Sequence, residues 1–201
     1  MTTFSYLQQF NIDGAQVYVA QFENSVQVQP VSPAIRQQSI EQCADDLHKR
    51  QRYCVWRLLD NALQQRIGKG VDELSFSVDG NGKWSCNGGV HFSLSHCGNV
   101  VAVAVSEHPV GIDVEACDVE RFNVRLAQRI LTEGEREIYQ ALPTDKRPQA
   151  LLEIWTKKES LFKRDGGKTF TPNAIDTSTN TSQCQTLEIH NNKYVVAVAI
   201  N

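Results

Sequence analysis

Two short segments of this chain place charge where apolar residues belong. In VGIDVEACD, Asp113 and Glu115 follow closely on the buried-type run VVAVAV. Side chains two apart in a strand point to one face, so these two acids face together while Ile112 and Val114 face the other way. Like charges held that close raise each other's pKa unless a cation compensates. The second segment is IWTKKESLFK. On a helical wheel Leu151, Leu152, Ile154, Trp155, Leu161 and Phe162 form an apolar arc. Glu159 falls inside that arc, Lys158 lies near its centre, and Lys163 sits one turn beyond Glu159 at its edge. A carboxylate and an ammonium inside an apolar stripe are costly unless they are paired or bind something. The simpler alternatives are a half-exposed strand with both acids in water, and a surface Glu159–Lys163 pair at i,i+4.

Together the strand and the helix can aim Asp113, Glu115 and Glu159 at one hard cation. With no His or Cys ligand nearby, three carboxylates favour Mg²⁺, or Mn²⁺, over zinc. Mg²⁺ completes its octahedron with water and substrate phosphates, so the expected substrate is a phosphoanhydride. The chain lacks both G-x-x-x-x-G-K-[ST] and G-x-G-x-x-G, which argues against P-loop, protein-kinase and dinucleotide-dehydrogenase chemistry. A net charge of −3 and a pI near 6.0 argue against a general nucleic-acid binder, so a phosphate ligand needs a local basic patch. Arg50 and Arg57, seven apart on a helical stretch, are candidates for it, or else belong to a solvated face.

The elements that must position these groups are legible in outline. AQVYVAQF (15–22) alternates as a strand. A helical pattern from Pro33 to Ile67 forms one helix or two. LSFSVD (74–79), VHFSLSH (90–96), NVVAVAVS (99–106) and EHPVGIDVE (107–115) read as further strands, with a turn at DGNGK. Thr132 with Glu135 fits a capping box opening a helix. Pro143 and Pro148 precede the 149–163 helix, and Gly166-Gly167 stop it. A polar connector over 171–183 leads to a final hairpin, QTLEIH and YVVAVAI, joined by Asn191-Asn192. VVAVAV (100–105) and VVAVAI (195–200) are nearly one string, and each closes a helix–strand–strand block. The expected fold class is α+β, with two similar halves, 1–106 and 107–201, each a helix on a small antiparallel sheet. Six scattered cysteines, no C-x-x-C, no signal-peptide pattern and no apolar run near ~20 residues fit a soluble, reducing, cytoplasmic setting and no membrane contact.

GIDVE (111–115), WTKKESLFK (155–163) and HFSLSH (91–96), in this order and spacing, resemble the 4′-phosphopantetheinyl transferase superfamily, in its larger form with two fused, pseudo-twofold halves in one monomer. The resemblance is firm from about Gly82 to Lys163. It implies that Asp113, Glu115 and Glu159 hold Mg²⁺ with the pyrophosphate of coenzyme A, and that Glu159 is the general base, directly or through water. Lys163 would contact the pyrophosphate, and Lys158 belongs to the same signature. His96 with Ser95 would bind the adenosine 3′-phosphate, Lys83 would lie near that nucleotide, and Arg50 and Arg57 are further phosphate contacts. The implied reaction moves phosphopantetheine from coenzyme A to a serine of an apo acyl or peptidyl carrier protein and releases 3′,5′-ADP. A Mg²⁺-dependent phosphoanhydride hydrolase and a non-catalytic carrier or coenzyme A binding module stay open as alternatives. The chain has Gly82-Lys83-Trp84 where the family often has G-K-P, Ser93 where it often has Asn, and a single basic residue, Arg36, in its first 45. Arg121, Arg125 and Arg129, every fourth residue, are a candidate docking face for an acidic carrier, or a solvated helix face.

Overall fold

Val- and Ala-rich alternation supplies the sheets and long amphipathic stretches supply the helices that cover them. The computed structural model describes residues 4–118, 120–179 and 182–200. The first half runs β1 (Phe4–Ile12), β2 (Ala15–Phe22), α1 (Ala34–Glu41), α2 (Asp46–Ile67), β3 (Phe76–Val78), β4 (Trp84–Cys86), β5 (His91–Cys97) and β6 (Val100–Ser106). The second runs β7 (Val110–Ala116), α3 (Val124–Ile130), α4 (Glu133–Ala141), α5 (Arg147–Asp165), β8 (Ser182–Ile189) and β9 (Asn192–Ile200). One antiparallel sheet has the order β1-β2-β6-β5 and another the order β7-β9-β8, while β3 and β4 form a separate hairpin. Since β2-β6-β5 and β7-β9-β8 are the same arrangement, with α2 and α5 inserted at the same point, the two halves repeat one topology. The α+β class expected from the sequence is the class observed.

The inner faces of the two sheets share one core. Val17, Val19, Val100, Ala102 and Ala104 of the first half pack with Ile112, Val114, Val196 and Val198 of the second. Helix α2 covers the outer face of the four-stranded sheet through Leu58, Leu59, Ala62 and Leu63 against Val101, Val103 and Val105. Helix α5 covers the other sheet, with Leu151 and Leu152 in one cluster with Val195. Alternating residues of β6 thus serve two cores. Among the described residues no helix is long and apolar enough to cross a membrane, and all six cysteines are free thiols.

The edges of the two sheets, β5 and β7, meet without a backbone ladder. Ser93 Oγ accepts from the Ile112 amide at 3.1 Å and Ser95 Oγ from the Val114 amide at 3.3 Å. Two serine hydroxyls, two residues apart, take the place of main-chain carbonyls. The joint keeps the edge amides of β7 satisfied while leaving its acids facing α5.

Several expectations change in detail. The pattern from Pro33 to Ile67 resolves into two helices, with Asp45 capping α2 through the His48 amide. The hairpin turn is His190-Asn191, both at positive φ, instead of Asn191-Asn192. Strand β1 is an addition, and the Asp13-Gly14 turn that makes it, with φ of 47° and 87°, is a hairpin signal in the sequence. Of the connector, residues 180 and 181 lie outside the described residues. Arg121 precedes α3, whose cap is Asn123, so it does not share a helix face with Arg125 and Arg129; the four-residue spacing runs across a helix start.

Candidate active site

Helix α5 approaches β7 unusually closely, and one residue permits it. A Cβ on Gly111 would stand 1.9 Å from the Ser160 carbonyl oxygen and 2.5 Å from the Arg164 amide, so only glycine fits under the helix. Gly111, Asp113 and Glu115 share the face beneath α5, and their register partners on β9 are Ala199, Ala197 and Val195. Small side chains beside the acids let the helix settle onto them.

That approach brings the charged residues of both segments together. Lys163 Nζ lies 2.7 Å from Asp113 Oδ1 and 3.9 Å from Glu159 Oε2. Ser95 Oγ donates to Asp113 Oδ1 at 2.8 Å and accepts from Lys163 Nζ at 3.0 Å. The other Asp113 oxygen, Oδ2, is buried with no hydrogen-bond partner. Glu115 accepts both Arg121 nitrogens, at 2.7 and 2.8 Å, and the Trp155 indole N–H at 3.0 Å. Burial first, then the charge of Asp113, pushes Glu159 up to about 7, although Lys163 pulls it down. Its carboxyl is therefore poised between its protonated and charged forms at neutral pH.

Lys158 lies inside the apolar arc, as the helical wheel places it, but is paired within the protein. Its side chain is fully buried, with Nζ paired to Glu135 Oε2 at 2.6 Å and donating to the Pro172 and Ile175 carbonyls at 2.9 and 2.5 Å. All three donors are spent on protein partners. Glu135 completes the knot by accepting from the Thr132 and Thr177 amides at 2.9 and 3.0 Å. The apolar arc admits Lys158 because it is paired, and the knot ties α4 and the 172–177 segment to α5. It leaves no donor for a ligand.

The nucleotide candidates also redistribute. A cavity of about 430 Å³ beside His96 is lined by Arg36, Arg52, Ser39, Gln42 and Trp84 among others; Arg50 and Arg57 do not line it. Arg57 instead faces Asp60 at 3.5 Å. Arg52, two residues beyond Arg50 on α2, lines the cavity instead. Arg36 is buried, its guanidinium 5.0 Å from the Trp56 ring and 5.5 Å from the Trp84 ring. Burial and then Arg52 lower its pKa to about 10, which leaves it charged at neutral pH. Its cation–π partners are widely spaced in sequence, so no local pattern marks it. His96 is lowered to about 4, by burial in the cleft first and then by Lys163. Its ring still reaches solvent, so it is a neutral imidazole in a cationic cleft. Lys83 donates to the Arg164 carbonyl at the end of α5, and Asn81 donates to the Gly166 carbonyl at 2.8 Å. The turn before β4 is thereby clasped onto the helix that carries Glu159. A second cavity, of about 220 Å³, lies beneath this clasp between Phe92, Leu94, Phe162 and Lys163.

Among the described residues no set of three His, Cys, Asp or Glu side chains stands ready to hold a metal ion. Arg121 and Lys163 are paired with oxygens of Glu115 and Asp113. The donors themselves are hard oxygens, one of them buried and unpartnered, and Glu159 is held up by burial first and then by the negative charge of Asp113 and Glu115. A small divalent cation fits that chemistry once the basic side chains give way.

With this geometry in place, the likeness to known proteins becomes informative. The model of the 4′-phosphopantetheinyl transferase superfamily matches residues 109–200, a span holding β7, α5 and all three acids. The chain is 30% identical over 140 residues to the 4′-phosphopantetheinyl transferase AcpT of Salmonella typhimurium, covering 67% of this chain and 72% of that one. The chain belongs to the 4′-phosphopantetheinyl transferase superfamily. Group transfer is therefore its class of reaction. Against psf-1 of Bacillus pumilus, also a 4′-phosphopantetheinyl transferase, identity is 26% over 159 residues, 71% of this chain and 67% of the relative. A holo-[acyl-carrier-protein] synthase of Thermotoga maritima overlaps 46% of this chain and 63% of its own, at 19% identity and a TM-score of 0.33, a likeness too low to carry weight.

Proposed function

We propose that this chain transfers the phosphopantetheine arm of coenzyme A to a serine hydroxyl of an apo acyl or peptidyl carrier protein. The observation that carries the reading is the meeting of Asp113, Glu159 and Lys163 from β7 and α5 at one end of a cationic cleft. The adenosine 3′-phosphate lies beside His96, Arg36 and Arg52, which leads the pyrophosphate toward Lys163. The serine oxygen forms a bond to the β-phosphorus, the anhydride bond to the nucleotide breaks, and 3′,5′-ADP departs. Glu159 accepts the serine proton, directly or through water. Lys163 faces charge that builds on the phosphoryl oxygens. Asp113, Glu115 and Glu159 would hold Mg²⁺, with Mn²⁺ an acceptable substitute, which neutralises pyrophosphate charge when bound. Ser95 fixes both Asp113 and Lys163 through one hydroxyl.

An acidic carrier docks along α3, where Arg125 and Arg129 are exposed beside an exposed Val124. The site is built from the halves of one chain, which supports a working monomer, with the division between halves at residues 106 and 107. The free thiols support a reducing, cytoplasmic location. The test is to incubate the protein with coenzyme A, Mg²⁺ and a panel of apo carriers and weigh the carriers. One phosphopantetheine on the carrier serine is the expected product. Release of 3′,5′-ADP with no carrier present would identify a hydrolase instead, and neither product would leave only a binding module.

A further inference from the structure

In this structure both carboxylate oxygens of Glu115 are engaged by protein donors. Arg121 Nη1 reaches Glu115 Oε2 at 2.7 Å and Nη2 reaches Oε1 at 2.8 Å, in a two-pronged pair. Oε1 also accepts from the Trp155 indole at 3.0 Å, and the Cys97 thiol points at Oε2 from 3.7 Å. Glu115 is nearly buried, its side chain 12% exposed, whereas Arg121 is 47% exposed. The carboxylate is thus fixed in place and the guanidinium is the partner that can leave. In this paired position its carbon also lies 5.2 Å from the Phe122 ring and 5.9 Å from the Trp155 ring. By contrast Asp113 keeps a buried oxygen with no partner, and the nearest cation to Glu159 is Lys163 at 3.9 Å. Asp113 thus keeps one oxygen without a protein partner, whereas both oxygens of Glu115 are engaged.

We infer that Arg121 is a built-in competitor for the divalent cation, seated on Glu115 until the metal displaces it. A carboxylate gains from either partner, because guanidinium and divalent cation satisfy the same oxygens. Without Arg121 the empty protein would hold Glu115 beside Asp113 and Glu159 with too little positive charge, an arrangement that invites any passing cation. With it, metal occupancy requires the Arg121 side chain to leave Glu115, so the state of the site and the position of that side chain are linked. The inference rests on the functional reading above in one respect, that these acids bind a metal at all.

The experiment is a Mn²⁺ titration of the full-length protein, without coenzyme A, following free Mn²⁺ by electron paramagnetic resonance. Arg121→Gln should bind Mn²⁺ about tenfold more tightly than the wild type. Arg121→Lys, which keeps the charge but loses the fork, should fall between the two. Lys69→Gln, which makes the same change of charge at an exposed site, should match the wild type and so exclude a general field effect. Circular dichroism of each variant checks the fold; if Arg121→Gln fails to fold, tighter Mn²⁺ binding by Arg121→Lys than by the wild type carries the test. Equal or weaker binding by the Arg121 variants overturns the inference. If no variant and no wild-type sample binds Mn²⁺, the inference also falls. Carrier loading by those same samples then separates the two proposals: loading that needs added Mg²⁺ spares the functional reading, and no loading removes both.

Discussion

A proton on Glu159 divides two jobs that a carboxylate can do in this cleft: it binds cations only when ionised, and accepts a proton only then. Its folded pKa of about 7 lies above the ordinary 4.5, so the fold prefers the protonated acid. The stabilisation this gives is complete below about pH 4.5 and is lost as pH rises through about 7. Metal-free protein kept in chelator should therefore lose urea resistance between pH 5 and 8, and Glu159→Gln should show a flatter profile. Parallel profiles would mean that burial does not load this residue. Replacing the residue by alanine should lower carrier loading by about 10²–10⁴-fold with the fold intact, the range expected for a positioned proton acceptor. His96 gives a second check at this scale. Its free pKa of about 4 should rise when 3′,5′-ADP brings negative charge beside it, as read from imidazole shifts by NMR. An unmoved titration would place the nucleotide elsewhere.

At the scale of elements, what matters is how α5 is seated. Gly111 sets its distance from β7, and the Lys158–Glu135 knot ties its middle to α4 and the 172–177 segment. Gly111→Ala forces main chain apart, since its contacts are a carbonyl and an amide. It should cut loading at least tenfold, and it should shift the Lys163–Asp113 pair more than the first-half core. Lys158→Met leaves Glu135 buried without its cation, and such a change costs about 3–5 kcal/mol. The signature lysines should thus separate: Lys158→Met lowers urea stability strongly, while Lys163→Met acts mainly on turnover. Equal losses of stability would contradict that division. Much of this seating was legible. The inward placement of Lys158 and Glu159 followed from the helical wheel, and the Thr132–Glu135 capping box forms as written. The partner of Lys158 was not, because Glu135 sits 23 residues upstream and reaches it only through the tertiary fold. Arg36 and Arg52 escaped for a related reason: their place on the cleft depends on how α1 and α2 cross, which local spacing does not encode.

Across the whole molecule the repeated strand order explains why VVAVAV and VVAVAI read alike, since β6 and β9 are the central strands of equivalent sheets. Their use differs. In β6 the alanines Ala102 and Ala104 face the other sheet, and in β9 Ala197 and Ala199 oppose Asp113 and Gly111 beneath α5. The echo pointed to two halves, and this shift of phase, which makes room for the site, becomes visible only with register. Strand β1 was missed because FSYLQQFNI carries glutamines and asparagine on a half-exposed edge. Because the inner sheet faces form one core, residues 1–106 or 107–201 alone would expose a wall of Val and Ile. Neither half should give a dispersed amide NMR spectrum by itself, and mixing the two should restore one. A folded lone half would contradict the shared core.

The account stands on β7 and α5 directing their carboxylates at one divalent cation next to the phosphates of coenzyme A. Crystals grown with Mn²⁺ and coenzyme A test this directly through the anomalous signal of manganese. The expected result is a single peak bounded by Asp113, Glu115 and Glu159 and touching the pyrophosphate, with Arg121 withdrawn from Glu115. A nucleotide-bound crystal in which manganese lies elsewhere, with Arg121 still seated on Glu115 and Lys163 on Asp113, would contradict it.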